Sequence, residues 1–461
     1  MKVVLVYPPI PHITTSTSPP VGLAYLASIL KQKKAEVAVV SSDAEEMGVE
    51  ATTEKILSLS PDMVGISIST PTFNNAVKII GGIQSKDGNI KIQVGGPHAT
   101  LFPDELLNLG VDFVIRGEGE VTMSELCDYF ENNIALEKID GLSYKADGRN
   151  KHNPDRELIA DLDSLPYPSW ELFPIHRYKS DFRKKEFTLP VLSSRGCPAR
   201  CTFCYKDIFG SMFRVRSPKN IVGEIEYLKS TFHIEEFAII DDSFTSIPKR
   251  AMEVCDLIVE RKINLPWTLP AGIRVPTVSA ELLQKLKTAG CYRAGLGIES
   301  GNQDILRSIS KGITLEQVRR AVRLVKESGI ESAGYFMIGN LEETEETIEQ
   351  TIRFAIELDP DYAQFTKTTP YPGTAIYKQL KSENRIVTDN WDDYDSFLKG
   401  RPTFTHKNLT NEQIDAKLRE AYRRFYYRPK YILKHMKTIA SWREIKTLLS
   451  NTLKFFKSYS A

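Results

Sequence analysis

The chain has 461 residues, of which 41% are hydrophobic and 26% are charged, a soluble globular composition that excludes a disordered or collagen-like protein and allows two or three cores. Lys and Arg number 60 against 59 Asp and Glu, so the net charge of +1 argues against a uniformly basic nucleic-acid coat protein. Six cysteines are too few for a disulfide scaffold, and no apolar run reaches the roughly 18 residues of a membrane-spanning helix. We therefore predict a cytoplasmic, reducing location.

Residues 1–135 are predicted to form an α/β domain of the Rossmann type. Short runs rich in Val and Ile alternate with amphipathic segments such as 22–34 and 74–84. Buried strands joined by helices are typical of an open, doubly wound sheet, here with five parallel strands. The predicted strands are Val3–Tyr7, Val37–Ser41, Met63–Ser69, Ile90–Val94 and Phe113–Ile115.

Ligands of such sheets bind beyond the carboxyl ends of the strands. Glycine, proline and small polar residues stand at these ends in this chain, at Thr70-Pro71, Gly95-Gly96-Pro97-His98 and Gly117-Glu118-Gly119-Glu120. The same residues are also common in simple turns, and that alternative stays open. No Gly-x-Gly-x-x-Gly segment follows the first strand, which disfavours a dinucleotide.

Residues 136–185 lose the alternation and include the proline-rich stretch Asp163–Trp170, which predicts an extended linker. A second alternating series covers residues 186–395. Six strand-and-helix units are two fewer than a complete eight-unit barrel has, so we predict a partial, open (β/α)6 barrel. Its predicted strands are Leu189–Ser193, Phe237–Ile240, Thr268–Pro270, Ala294–Gly297, Ala333–Ile338 and Tyr362–Phe365.

Three cysteines follow the first strand of the barrel, at Cys197, Cys201 and Cys204. Thiolates converging on one short loop indicate a metal or an iron–sulfur cluster. Structural zinc normally takes four ligands, whereas three thiolates leave one iron of a 4Fe-4S cluster open. The remaining cysteines lie far apart in the chain and are predicted to be core residues; they are Cys127, Cys255 and Cys291.

The spacing C-x3-C-x-aromatic-C, with Phe203 as the aromatic residue, resembles the signature loop of radical S-adenosylmethionine (SAM) enzymes. The resemblance implies that the open iron binds SAM and that one electron from the cluster cleaves the sulfonium, which yields a 5'-deoxyadenosyl radical. It also implies an external electron donor such as flavodoxin or ferredoxin.

The resemblance extends to the ends of later barrel strands and implies SAM contacts there. Asp242 ends the second strand, where many family members have Gly-Gly-Glu instead. Arg274 follows the third strand and is positioned to pair with a carboxylate, although a surface ion pair is the alternative. Glu299 and Ser300 end the fourth strand, and Tyr335 lies in the fifth.

A five-stranded parallel domain ahead of such a barrel is similar to the cobalamin-binding class of the family. The resemblance implies cobalamin contacts at Thr70, Gly95, Gly96, His98, Gly117 and Glu118. The chain lacks the Asp-x-His-x-x-Gly segment of proteins that ligate cobalt through histidine. His98 is therefore interpreted as either an axial ligand or a hydrogen-bonding turn residue.

The carboxyl-terminal region, residues 396–461, is predicted to be helical and is strongly basic. Between residues 417 and 461, 12 Lys or Arg residues face only Glu420 and Glu444, a local net charge of +10. Interleaved aromatic residues suit adsorption to the inner face of an anionic membrane, and they equally suit a helical cap on the barrel. No recognised nucleic-acid module is present, so no nucleic-acid partner is predicted.

Three functions remain open. The first is cobalamin-dependent methylation of an unactivated carbon in a small or lipid-like substrate. The second uses the same cofactors for ring closure or oxidation without methyl transfer. The third is a non-catalytic membrane adaptor in which the three cysteines bind zinc.

Overall fold

The structure is a computed structural model that describes residues 1–11, 18–178, 183–396 and 401–438. Its first sheet has seven strands, in the order β2-β1-β3-β4-β5-β6-β7. These strands are β1 Lys2–Tyr7, β2 Glu36–Ser41, β3 Met63–Ser67, β4 Lys91–Gly95, β5 Phe113–Ile115, β6 Leu142–Ala146 and β7 Arg149–His152. The accompanying helices are α1 Val21–Gln32, α2 Val49–Ser58, α3 Phe73–Lys86, α4 Pro97–Leu101, α5 Pro103–Asn108 and α6 Gly119–Phe130.

Alternate residues of β1 point to opposite faces of this sheet, and both faces are covered. Val3 and Leu5 pack in the core with α1 and α6, whereas Val4 and Val6 pack with α2 and α3. Burial on both faces explains why the strands are continuous apolar runs. Strands β1 to β5 are parallel, so the predicted doubly wound sheet is confirmed.

Strands β6 and β7, which were not predicted, add an antiparallel hairpin to the sheet within the predicted linker. Strand β7 is polar and largely exposed, so it has no apolar alternation to reveal it. The turn between the two strands did leave a signal in the sequence, the dipeptide Asp147-Gly148. Its residues have φ of 51° and 72°, the positive values that a two-residue hairpin turn requires. The first sheet therefore extends beyond residue 135.

The second sheet is the predicted six-stranded parallel barrel, in the order β8-β11-β12-β13-β14-β15. Its strands and a short pair beside them are β8 Thr188–Val191, β9 Ser194–Arg195, β10 Arg214–Val215, β11 Glu236–Ile239, β12 Trp267–Ile273, β13 Cys291–Glu299, β14 Glu331–Ile338 and β15 Tyr362–Lys367. The helices are α7 Pro218–Phe232, α8 Pro248–Glu260, α9 Ala280–Thr288, α10 Gln303–Ser308, α11 Leu315–Glu327, α12 Glu345–Leu358, α13 Ala375–Ser382, α14 Asn411–Tyr426 and α15 Pro429–Thr438. Strands β8 and β15 are the two edges, so the barrel is open.

Two tyrosines of α14 cover the open edge of β15. The Tyr422 hydroxyl accepts a bond from Phe365 N at 3.2 Å and donates to Phe365 O at 2.9 Å. The Tyr426 hydroxyl bonds Ala363 N and O in the same way, at 3.1 and 2.8 Å. The four-residue spacing places both rings on one helix face, where they satisfy edge groups that would otherwise invite another strand.

The carboxyl-terminal helices cap the barrel, one of the two alternatives from the sequence. Phe425 is fully buried and Tyr431 nearly so, while Tyr427, Ile432 and Leu433 remain exposed. Residues 439–461, which carry much of the predicted basic region, lie outside the described residues. Across the described ranges, every helix is too short or too polar to cross a bilayer.

Candidate active site

The three cysteines lie on the loop between β9 and β10, at the carboxyl end of β8. Cys201 is buried, Cys197 is half-buried and Cys204 is exposed. Cys204 N donates to Cys201 O at 3.3 Å, and the interaction between the two neighbouring thiols lowers the pKa of Cys201 and raises that of Cys204. Among the described residues, no three His, Cys, Asp or Glu side chains are grouped closely enough to hold a metal ion. The structure thus brings two of the three thiols together.

Backbone contacts fix this loop on top of the barrel. Thr202 N donates to Ile309 O, and Ile376 N donates to Thr202 O, both at 3.0 Å. Phe203 packs against the barrel core, and Lys311 Nζ lies 5.8 Å above the centre of its ring. The remaining cysteines are buried as predicted, and burial raises the pKa of Cys127 to about 11 and that of Cys255 to about 12.

Glu299 lies beside the cysteine loop and is paired with a residue that the sequence analysis missed. Its Oε1 is 2.6 Å from Lys311 Nζ, with side-chain exposures of 10% and 17%. A bulge between Gly297 and Glu299 shifts the strand register, and Glu299 has φ of 67°. Lys311 was not predicted, because it lies 12 residues beyond Glu299 in a loop that comes close to Glu299 only in the folded chain.

The other predicted SAM residues of β13 and β14 have different surroundings. Ser300 is fully buried, its hydroxyl 3.1 Å from that of Thr351, and it accepts a bond from Asn302 N, so it braces the strand end. The Tyr335 hydroxyl donates to Pro270 O across β13. A Cβ on Gly295 would lie 2.8 Å from the Tyr335 ring, which explains the glycine beneath it.

Asp242 and Arg274 lie at the carboxyl ends of β11 and β12. Asp242 is exposed, and desolvation together with the neighbouring Asp241 carboxylate raises its pKa. Arg274 is half-buried, and among the described residues no ion pair of its guanidinium is found, so the alternative of a surface ion pair is not observed. Asp241 is fully buried and accepts bonds from Ser193 N and from the hydroxyl groups of Ser193 and Ser194.

The predicted cobalamin residues gather at the carboxyl edge of the first sheet. Gly95 and Gly96 are partly exposed at the end of β4, and a Cβ on Gly96 would lie 2.8 Å from Ile68 O. Gly117, at the end of β5, has φ of 71° and open space where a Cβ would be. Thr70 begins a 3-10 helix after β3 and lies 3.3 Å from the ring of His98.

His98 is fully buried in an aromatic cage, not open to a ligand. Its ring centre lies 4.4 Å from that of Phe73, 4.9 Å from Phe102 and 5.0 Å from Trp391. Burial lowers its pKa, and Nε2 lies 3.7 Å from Glu105, longer than a hydrogen bond. The structure therefore favours the turn-residue interpretation over an axial ligand.

Glu118 also contacts protein side chains and does not lie at an open surface. Its two oxygens lie 2.7 Å from Arg195 and 2.8 Å from Arg214, which flank the cysteine loop. The side chain is 2% exposed. Glu120, two residues later, contacts Arg195 as well. No sequence pattern indicates these pairs, because the partners are 75 to 96 residues apart.

The carboxyl edge of the first sheet meets the cysteine loop at Gly373. A Cβ on Gly373 would lie 2.5 Å from the Tyr205 ring and 2.9 Å from Leu101. Tyr205 directly follows Cys204, Leu101 ends the helix after Gly96, and Gly373 follows β15. The two predicted cofactor regions therefore lie next to each other.

Comparison with known proteins places this geometry in a family. A model of the radical SAM superfamily matches residues 191–355, and a model of the B12 binding domain matches residues 14–127. An uncharacterized methyltransferase of Pyrococcus horikoshii is 37% identical over 441 residues, which cover 94% of each chain. The anaerobic magnesium-protoporphyrin IX monomethyl ester cyclase of Rubrivivax gelatinosus is 28% identical and covers 88% of this chain and 74% of its own.

The fold is shared with the cobalamin-dependent S-adenosylmethionine radical enzyme OxsB, solved with aqua-cobalamin and S-adenosylmethionine bound. The TM-score is 0.77 at 19% identity, over 98% of this chain and 70% of that one. The chain belongs to the radical SAM superfamily, in the class that carries a B12 binding domain. It is accordingly an enzyme, with a methyltransferase and a cyclase among its relatives.

The residues present fit the cofactors of this class. Three thiols on one loop, two of which interact and shift each other's pKa, are a suitable ligand set for an iron–sulfur cluster. Lys311 places a positive charge beside those thiols. At the edge of the first sheet, Gly117 leaves open space where a side chain would stand, as close approach of a large cofactor requires.

Proposed function

We propose that this protein is a cobalamin-dependent radical SAM methyltransferase that methylates an unactivated carbon. The observation that carries the proposal is the meeting of Leu101, Tyr205 and Gly373, which brings the edge of the first sheet against the cysteine loop. A methyl carrier at that edge and a radical source at the loop would then serve one substrate between them.

In this proposal Cys197, Cys201 and Cys204 hold a 4Fe-4S cluster. When bound, the cluster supplies one electron for SAM cleavage and cobalamin carries the methyl group. Arg274, half-buried directly after β12, is proposed to pair with the SAM carboxylate. Glu299, held by Lys311, is suited to accept bonds from ribose hydroxyl groups.

Phe203, Asp242 and Tyr335 complete the proposed SAM site, Phe203 by packing and the other two by polar contact. Thr70, Gly95, Gly96 and Gly117 are proposed to line the cobalamin site. His98 and Glu118 would support that site from beneath, because both are buried against protein groups. His98 would then not be a ligand of cobalt.

The test is anaerobic reconstitution with cluster, SAM and cobalamin, followed by mass spectrometry of products. Methyl transfer predicts a methylated product together with S-adenosylhomocysteine and 5'-deoxyadenosine. The likeness to the Rubrivivax cyclase favours a second candidate, ring closure or oxidation with the same cofactors. Formation of 5'-deoxyadenosine and an altered product without S-adenosylhomocysteine would replace the first candidate with the second. The electron donor is proposed to be a flavodoxin or ferredoxin, to be tested by substituting each for a chemical reductant.

We further propose that the enzyme works at the surface of an anionic membrane, on a lipid-like substrate. Exposed Ile432 and Leu433, at 43% and 58%, adjoin Lys430 in the region of net charge +10. Exposed apolar side chains beside basic ones suit the interface of an anionic bilayer.

Sedimentation with vesicles tests the membrane proposal. The full chain should sediment with vesicles containing phosphatidylserine and not with phosphatidylcholine alone, and 0.5 M NaCl, an ionic strength at which the Debye length is only about 4 Å, should release it. Changing both Ile432 and Leu433 to Glu should abolish sedimentation. The control Val259→Glu alters a similarly exposed residue of α8 and should leave it intact. Equal sedimentation of all three proteins would refute membrane contact at α15.

A further inference from the structure

The cysteine loop, residues 196–213, is flanked by two short strands, β9 and β10, which together are called the stem. Strands β9 and β10 pair antiparallel, with Arg195 opposite Arg214 and Ser194 opposite Val215. Gly196 has φ of 80°, and a Cβ there would overlap Met212 O, so the loop closes tightly on its own base. The two stem strands therefore fix both ends of residues 197–213.

Both stem arginines reach out of the barrel and into the first domain. Arg195 Nη1 lies 2.7 Å from Glu118 Oε1, and Arg214 Nη1 lies 2.8 Å from Glu118 Oε2. The second nitrogen of Arg195 contacts Glu120. None of these four side chains is more than 6% exposed. One carboxylate of the first domain therefore holds both strands of the stem.

Glu118 keeps its negative charge in this cluster. Burial alone would raise the pKa of Glu118, but hydrogen bonds and charge from Arg214 and Arg195 outweigh it and lower that pKa. Buried ion pairs are costly to separate, because each partner would be left as an unpaired buried charge. The stem and Glu118 must therefore move together.

Glu118 stands directly after Gly117, at the carboxyl edge where cobalamin is proposed to bind. Its backbone precedes the first residue of α6, and its Oε2 accepts a bond from Ile159 N at 2.8 Å. Gly117 itself faces open space and has the freedom of a glycine at positive φ. A ligand that contacts Gly117 therefore lies one residue away from Glu118, whose carboxylate binds both stem arginines.

We propose that Glu118 is a positioning residue that couples cobalamin binding in the first domain to the conformation of the cysteine loop. The inference rests on the proposed function, since it takes cobalamin to bind at this edge. Coupling between two sites is reciprocal: if cobalamin stabilises the loop that holds the cluster, the assembled cluster must tighten cobalamin binding by the same factor.

Titration of hydroxocobalamin into the full chain, with and without the reconstituted cluster, measures this factor. The wild type should bind cobalamin at least about fivefold more tightly when the cluster is present, the lower end of ordinary allosteric coupling. Glu118→Gln keeps the shape but removes the charge, and its ratio should fall to near one. The control Glu171→Gln removes an exposed ion pair with Lys31 and should retain the wild-type ratio.

A second measurement needs no variant, in case Glu118→Gln does not fold. Cobalamin added to the wild-type apoprotein should slow amide hydrogen exchange in residues 196–213. Binding with unchanged exchange and a wild-type ratio of one would overturn the coupling and leave the proposed function standing. A ratio retained in folded Glu118→Gln would overturn the role of Glu118. Absence of any cobalamin binding would refute the proposed function and this inference together.

Discussion

Lys311 Nζ lies 2.6 Å from Glu299 Oε1, and this largely buried pair borders the cysteine loop. The two residues come from different parts of the barrel rim, the end of β13 and the loop between α10 and α11. The charge of Glu299 raises the pKa of Lys311 against the opposing effect of desolvation, and the Cys201 thiol adds to that effect. Lys311 is therefore a fixed positive charge beside the proposed cluster.

Replacing Lys311 with Met should destabilise the apoprotein by about 3 kcal/mol, because Glu299 is left as an unpaired buried charge. Thermal denaturation measures the loss. The double variant Lys311→Met/Glu299→Gln removes both charges and should recover most of it. A double variant as unstable as the sum of the two single variants would show that the pair does not interact as the structure has it.

Changing Tyr422 and Tyr426 to Phe should open the edge of β15, since each hydroxyl bonds both backbone groups of one edge residue. The amides of Ala363 and Phe365 should exchange about fivefold faster, equivalent to about 1 kcal/mol for each lost interaction. Hydrogen exchange read by mass spectrometry measures the effect. Tyr427→Phe, on the exposed side of the same chain segment, is the control. Equal exchange in all proteins would contradict the edge-covering role.

The parallel strands of the first sheet were predictable because both of its faces are buried, which makes runs such as Val3–Tyr7 continuously apolar. The hairpin of β6 and β7 was not predicted from apolar pattern, because β7 lies on the polar outer edge of the sheet. Only its Asp147-Gly148 turn left a local mark in the sequence.

The site was predictable only in part. The cysteine loop is contiguous, so its chemistry shows in the spacing of Cys197, Cys201 and Cys204. The partners of Glu118 and Glu299 come from distant segments, and pairing across the fold leaves no trace in a single sequence. For the same reason the sequence placed His98 at the ligand-binding edge of the sheet but did not reveal that Trp391, from a distant segment, packs against its ring.

Glu343 should make stability depend on pH. It is fully buried and accepts bonds from Gly339 N and Asn340 N, yet desolvation raises its pKa to about 7. Because the folded state holds the proton more tightly than the unfolded state, stability should fall as pH rises from about 4.5 to about 7. Glu343→Gln should remove about 3 kcal/mol of this dependence.

Denaturation of the wild type and Glu343→Gln at a series of pH values checks the effect. The exposed neighbour Glu342 supplies the control, Glu342→Gln, which should follow the wild type. Curves for wild type and Glu343→Gln that stay parallel between these pH values would contradict the raised pKa.

Replacing His98 with Leu should leave the absorption spectrum of bound cobalamin unchanged, because the ring is enclosed by Phe73, Phe102 and Trp391 and does not reach cobalt. The variant should lose about 1 kcal/mol of stability with its contact to Thr70. Spectroscopy of the cobalamin-loaded proteins decides the point. A spectral shift on substitution would mean that His98 coordinates cobalt after a rearrangement of the cage.

Metal and sulfide analysis of the anaerobically reconstituted chain, combined with electron paramagnetic resonance, tests the central claim most directly. We expect about four iron and four sulfide per chain and a reduced-cluster signal that changes when SAM is added. Replacing the three cysteines with Ala should abolish both. About one zinc per chain with no acid-labile sulfide would instead establish a structural metal site and contradict radical chemistry at this loop.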